Sequence, residues 1–441
     1  MLARQVNISK ATKIRIKAPN TTFAPLIRRY GRCSALLVAA VLAVPTVARG
    51  QANTAAMQLA LRDAIRQAQS SPEARQGQDR VEAAQAQVTQ AGLRPNPRLY
   101  LQSEDLRPWA SNFDFPSATE DYGYLGQVFE LGSKRARRVS VAHDTVRQAE
   151  AEQALLRQQI AGRVAAAYWN TVVTTQVVQL LEQDSRAVAG IVHYNKARVD
   201  AGATRGVDLI RVQIEQDRLL LVLASARRDV TERRIELFRQ MGRPMAQNVH
   251  LTDSLEAPVP IQTQSLAAVL NARADVAVAR EAVAVAEAEV RLQRADGVPD
   301  LDLLGGYKRN AGDNTLYTSL QIPLPFRNRN QGEIARAEAN VHLAKDHLQQ
   351  LELAVEAEVD AAQAAYTEQG RVIHDLVPDM LARAHQNLTI MDDAYRTGGV
   401  DLLRYLDAER TAFDVEVSAL RTLADFQQAT LRLQFAYGAT P

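Results

Sequence analysis

The chain has 441 residues, 52 Lys and Arg against 50 Asp and Glu, a formal net charge of +2, 5% aromatic residues and one cysteine. So even a balance leaves no basic footprint for nucleic acid and no field for a strongly acidic ligand. After residue 50 no stretch reaches the roughly 18 uncharged apolar residues of a helical membrane span, so any crossing of a bilayer falls to strands.

The first segment in chain order is a targeting one. Lys10, Lys13, Arg15, Lys17, Arg28, Arg29 and Arg32 lead into the apolar run Ala35 to Ala48, which ends in the small-residue exit Ala48-Arg49-Gly50. Basic, apolar and small residues in that order read as a secretory signal over residues 1–50, with the mature chain starting near Gln51. The apolar run is shorter than the roughly 20 residues that span a bilayer. Cys33 precedes it, on the wrong side for a lipid anchor at the cleavage point, and is expected to leave with the signal. The mature chain then has neither disulfides nor thiolate metal ligands, and packing alone holds it together.

The mature chain carries one pattern twice. Pro97-Arg98-Leu99-Tyr100-Leu101 is echoed by Pro299-Asp300-Leu301-Asp302-Leu303, and Gln127-Val128 by Gln321-Ile322. Ala166-Ala167-Tyr168 returns as Ala364-Ala365-Tyr366, and Gly206-Val207-Asp208-Leu209 as Gly399-Val400-Asp401-Leu402. The order is kept at an offset of roughly 200 residues, the mark of an internal duplication.

The first repeat, residues 51–242, reads as a helix over about 56–92, two strands over about 97–104 and 122–130, and helices over about 133–199 and 206–242. Gly92 and Pro95-Asn96-Pro97 stop its first helix, and a polar loop with Pro108, Asn112 and Pro116 joins its strands. A connector with Pro244, Pro258 and Pro260 covers 243–262. The second repeat, 263–441, has strands over about 299–307 and 315–324, a long helix over about 329–397 with a bend expected at Pro378, and a last helix over about 400–436.

In the strands Leu99 and Leu101 alternate with Arg98, Tyr100 and Gln102, and Leu316, Thr318, Leu320, Ile322 and Leu324 with Tyr317, Ser319 and Gln321. One face suits lipid and the other water. Four strands cannot close into a barrel, and open edges in lipid cost several kcal/mol per unpaired backbone group, so edges must meet those of other copies. Two copies or three would both satisfy this. From Ser133 to Val199 no proline intervenes, and Leu156, Ile160, Val164, Ala167, Val173, Val177, Leu181, Val188 and Ile191 supply an apolar stripe. Such a helix is about 100 Å long, which points to coiled-coil packing in a rod. The fold class is mainly α with a transmembrane β part.

Three strings flank the strands: Leu93-Arg94-Pro95-Asn96-Pro97, Glu130-Leu131-Gly132-Ser133-Lys134-Arg135, and Ile322-Pro323-Leu324-Pro325-Phe326-Arg327-Asn328-Arg329-Asn330-Gln331-Gly332. The order of elements over essentially the whole mature chain resembles the outer-membrane efflux family of TolC type, and these strings are similar to its heavy-metal cation branch. The resemblance implies a homotrimeric outer-membrane barrel of twelve strands, continued by an α-helical tunnel through the periplasm. Its implied partners are a periplasmic adaptor (membrane fusion) protein, an inner-membrane pump of RND type and outer-membrane lipid. It implies a passive duct for metal cations, not an enzyme, with no cofactor. Exit of drugs or other small organic molecules, type I protein secretion and a pore-less periplasmic scaffold are the competing readings; four lipid-facing strands argue against the last.

The resemblance also implies that the helix–turn–helix tips form the periplasmic mouth and dock the adaptor. Those tips hold Gly206, Val207, Asp208 and Leu209 in the first repeat and Gly398, Gly399, Val400, Asp401 and Leu402 in the second. Glycine suits a left-handed helix end there. Tyr395 and Arg396 stand where the family ties the closed mouth, and Arg211 and Arg404 come one turn after Asp208 and Asp401. Charged groups in a constriction filter ions by their field; the plain alternative is an exposed Asp–Arg pair worth a few tenths of a kcal/mol. His342, Asp346 and His347 are the one compact set of candidate metal ligands, but His347 points about 100° away from the other two, so they read as a solvated helix face and no metal site is expected.

Overall fold

The computed structural model describes residues 57–246, 249–255, 260–310 and 312–439. The signal over 1–50 with Cys33, the mature start near Gln51, and Pro258 of the connector lie outside the described residues.

The first repeat contains β1 (Met57–Leu59), α1 (Leu61–Ala68), α2 (Pro72–Ala91), β2 (Arg98–Glu104), the single turn α3 (Phe115–Ala118), β3 (Glu120–Phe129), α4 (Lys134–Asp200) and α5 (Gly206–Gln240). After β4 (Val249–Leu251), the second has α6 (Leu266–Ala272), α7 (Ala274–Asp296), β5 (Leu301–Asn310), β6 (Asp313–Gln321), α8 (Gln331–Arg371), a π turn (Val372–Leu376), α9 (Val377–Arg396) and α10 (Leu402–Ala436).

Three expectations need correction. The helix over 56–92 is a short strand and two helices. The first ends at Ala68, and Ser71 caps the second, its hydroxyl accepting the Ala74 N–H at 3.2 Å, with Pro72 at the first helical position. The helix over 329–397, expected as one element bent at Pro378, is two helices parted just before that proline, which has no N–H to bond back into the preceding turn. A wider π turn absorbs the fault, with the Val377 N–H reaching the Val372 carbonyl five residues back. The strand over 315–324 ends at Gln321, because Pro323 and Pro325 cannot donate to a ladder.

The proline-free α4 continues for 67 residues, about 100 Å of rise. At its middle β1 pairs in parallel with β4 of the connector, Met57 to Val249 through Leu59 to Leu251. Tyr168 of α4 is fully buried there, its hydroxyl 2.9 Å from the Leu59 carbonyl and 2.6 Å from the Asp253 carboxylate, which also accepts the Leu61 N–H at 2.7 Å. Repeat-related Tyr366 on α8 accepts the Ile261 N–H at 3.1 Å. The recurring tyrosine thus ties the connector in both halves.

The sheet has the order β2-β3-β5-β6, antiparallel throughout, so β3 against β5 joins the two repeats, and among the described residues β2 and β6 are free edges. The register lines up Leu99 with Leu125, Leu125 with Gly305 and Gly305 with Thr318, so one face carries Leu99, Leu101, Leu125, Leu303, Tyr307, Leu316 and Leu320. All seven are exposed, Leu101 by 78% and Leu316 by 89%. So broad an apolar patch is foreign to a water-facing monomer and suits lipid.

The family-like strings lie at the junction of sheet and helices. Ser133 (φ 61°) and Asn330 (φ 63°) are both left-handed at the starts of α4 and α8. Gly132 precedes Ser133 at φ 67°, where a Cβ would press 2.9 Å from Val298. Asp300, at the foot of β5, accepts from the Leu131 N–H at 3.1 Å and from Lys134 Nζ at 2.7 Å, fixing the angle at which helix leaves sheet.

Candidate functional site

Each long helix turns at a tip with the same ending. The Ala203 N–H bonds to the Arg198 carbonyl at 2.8 Å and the Gly399 N–H to the Ala394 carbonyl at 2.7 Å, closing six-residue loops around left-handed Gly202 (φ 69°) and Gly398 (φ 80°). The left-handed glycines are therefore Gly202 and Gly398. Gly206 and Gly399 need no such conformation, and a Cβ on Gly206 would meet nothing within 4 Å.

The matched strings then diverge. Asp401 lies outside α10 and caps it, accepting the Arg404 N–H at 2.9 Å. Asp208 lies inside the first turn of α5 and receives the Thr204 hydroxyl at 3.2 Å. Gly206, Val207, Gly398 and Gly399 are exposed, Asp208, Leu209 and Val400 half-buried, and Leu402 is buried in the core, where it offers a partner no surface.

Just above the second tip is a latch between the hairpins. Tyr395 is 5% exposed, and its hydroxyl donates to Asn195 Oδ1 of α4 at 2.7 Å. Its ring stacks on Tyr405 at 5.0 Å and meets Tyr194 edge-on at 6.0 Å, while the Arg198 guanidinium lies 5.6 Å from the Tyr194 ring and 5.7 Å from that of Tyr395. Val188, Ile191, Val212 and Leu402 complete the cluster. Burial, helped by Glu409 and Asp392, pushes the Tyr405 hydroxyl up. Arg396 is exposed and paired with Asp392 at 2.9 Å. Arg211 and Arg404 are exposed, and among the described residues neither side chain has an ion-pair partner, so neither Asp–Arg pair forms. Of the four gate candidates, only Tyr395 bridges the hairpins. Asn195 went unnoticed in the sequence, although a polar residue continuing the stripe Val188, Ile191 was a usable signal.

On the polar face of the sheet stands a ladder of tyrosines. Tyr100 stacks on Tyr124 at 4.8 Å, and Tyr317 reaches Tyr124 at 5.6 Å and Tyr122 at 6.4 Å. Gly306 lies between Tyr124 and Tyr317 in the register. Any side chain there would collide with β3, since a Cβ would sit 2.3 Å from the Gly123 carbonyl oxygen and 2.4 Å from Tyr124 Cα.

An exposed apolar sheet face, an opposite face of tyrosines, and duplicated helical hairpins make up one architecture, and a family model described as outer membrane efflux protein matches residues 49–243 and 266–439. The chain belongs to that family. It is an outer-membrane protein that extends into the periplasm, in a family of efflux channels and not of enzymes. It is 25% identical over 361 residues, 81% of this chain and 84% of the relative, to the cobalt-zinc-cadmium resistance protein CzcC of Cupriavidus metallidurans. With the nickel-cobalt-cadmium resistance protein NccC of Alcaligenes xylosoxydans xylosoxydans it shares 24% over 368 residues, 80% and 82% of the two chains. A solved structure of the channel-forming protein CusC superposes with a TM-score of 0.71 at 21% identity, covering 86% of this chain and 92% of that one. That likeness carries the fold of the efflux channels.

In this efflux protein His342, Asp346 and His347 are all exposed on α8. Among the described residues no three metal-binding side chains converge.

Proposed function

We propose that three copies of this chain close a twelve-stranded barrel and form the passive exit duct of a three-part efflux system for heavy-metal cations. The observation that carries the reading is the sheet with β2 and β6 as its outer strands and a broad exposed apolar face. Lipid leaves such edges unpaired unless further copies meet them. A second exposed apolar surface agrees: Ile210, Ile214 and Leu221 are exposed along one side of α5, at a spacing that a neighbouring hairpin would cover. The exposed turns at Gly206-Val207 and Gly398-Gly399 are the surface for the periplasmic adaptor, and an inner-membrane pump of RND type supplies the energy. Tyr395 bonded to Asn195 ties the closed mouth, with Arg396, Arg211 and Arg404 at its rim. Metal cations are favoured over organic molecules by the two metal-resistance relatives, each matched over four-fifths of this chain.

The test is deletion and complementation in the native host. Loss of the chain should lower tolerance of cobalt, zinc, cadmium or nickel salts more than tolerance of dyes and detergents. Unchanged metal tolerance beside a large loss of drug tolerance would assign the duct to organic molecules instead.

A further inference from the structure

Two cavities, of about 240 and about 540 Å³, adjoin in the seam between the α4–α5 and α9–α10 hairpins, and Glu409 of α10 lines both. Glu409 is 9% exposed, and among the described residues its buried Oε2 has no hydrogen-bond partner. Acidic groups face the cavities from each neighbouring element: Asp184 from α4, Glu215 from α5, Asp392 from α9, and Asp414 from its own helix. The cations within reach are engaged elsewhere. Arg410 and Arg218 hold Glu215 at 2.5 and 3.8 Å, and Arg396 holds Asp392 at 2.9 Å. His385 of α9 contacts Glu416 at 2.6 Å, and the Tyr395 hydroxyl is taken by Asn195.

An ionised carboxylate there would be largely buried with no cation paired to it among the described residues, a costly state for a charged group. Burial, then Asp184 and Asp392, push Glu409 up to about 7 from its ordinary 4.5. Burial, then Glu416 and Asp414, push Asp184 up to about 6 from 3.8. A lone buried oxygen suits a proton, whereas a divalent cation wants several converging oxygens.

We propose that this seam is a proton-operated latch: Glu409 holds a proton while the hairpins are packed together and releases it as they part. The proposal rests on the reading of the tips as the channel mouth. Its sign comes from linkage. The packed form binds the proton more tightly, so its advantage is full below 4.5 and is lost by the time the pH has risen through about 7. Within that window packing weakens by up to about tenfold per pH unit for one proton, and above it the effect levels off. Acid closes the mouth and neutral pH releases it.

The test is single-channel conductance of the full protein in planar phospholipid bilayers, from about pH 5 to about pH 8. Native conductance should be low at the acid end, climb toward neutrality and level off. Glu409→Gln, neutral throughout, should lose most of the climb and stop at a lower plateau, keeping only the part that Asp184 ends near pH 6. Asp184→Asn removes one repelling charge, so the climb should end at lower pH and reach a lower plateau. Tyr395→Ala, which removes the direct tie, should raise conductance at every pH and so reports on the mouth alone. If Tyr395→Ala raises conductance while the native profile is flat, or while Glu409→Gln tracks the native profile, the latch is wrong and the mouth stands. If Tyr395→Ala changes nothing, the mouth is elsewhere and both fall.

Discussion

The long arms of the two repeats leave equivalent left-handed junctions at Ser133 and Asn330 and end at equivalent left-handed glycines, Gly202 and Gly398. Between those points they differ. The first is one unbroken helix of 67 residues; the second is broken by a π turn ahead of Pro378. Tyr395 belongs to the broken arm and Asn195, its hydrogen-bond partner, to the straight one. A duplicated plan has been divided into a straight strut and a jointed arm, and the tie between them is made by residues that the duplication does not share.

The sharpest way to break the comparison is at the one place where the repeats pair strand to strand. A side chain at Gly306 would collide with the β3 backbone, so Gly306→Val should abolish the proposed trimer in outer-membrane fractions. Gly305→Val, one residue away on the lipid-facing side with nothing within 4 Å, should leave it intact. Adjacent glycines with opposite outcomes would fix which face is crowded.

The two connector tyrosines should differ next. Tyr168→Phe strips a bond from the Leu59 carbonyl and the Asp253 carboxylate in a fully buried setting, at a cost of about 1–3 kcal/mol. Tyr366→Phe frees a single N–H, of Ile261, and should cost about 1 kcal/mol or less. Thermal unfolding of the detergent-extracted protein would rank them, and equal losses would argue against a heavier load on the first repeat.

At the tips, Gly202→Val and Gly398→Val force a branched side chain into left-handed backbone, about 1–2 kcal/mol or more apiece. The same change at Gly206 or Gly399 carries no such strain. Hydrogen exchange of the tip amides should quicken in the first pair only. The smallest effect concerns the caps. Asp401→Ala should cost about 1 kcal/mol by exposing the Arg404 N–H, and Asp208→Ala a few tenths, since only Thr204 bonds to it. Exchange at the Arg404 amide is the readout.

Periodicity made the large features legible. Strand alternation at Leu99 and Leu316 marked the exposed apolar face of the sheet, and the proline-free run before Val199 marked the length of α4. Three-residue strands such as β1 and β4 are too short for any period to show, so their pairing was invisible. At the first tip the left-handed Gly202 is not singled out by the sequence, because the matching strings draw attention to Gly206; at the second, Gly398 lies within the string read as the tip. Left-handed backbone is instead set by the six-residue loops closed at Arg198 and Ala394, which place it earlier in each turn. Glu409 and Asn195 gain their meaning only from helices about 200 residues away in sequence, a contact that one-dimensional pattern cannot supply.

The most direct measurement is the mass of the full-length protein extracted from outer membranes in detergent, by native mass spectrometry, with circular dichroism on the same sample. Three chains per particle, with mainly helical and some β dichroism, is the expected result, since three four-stranded sheets close twelve strands. A stable membrane-inserted single chain, or a particle of two, would contradict it.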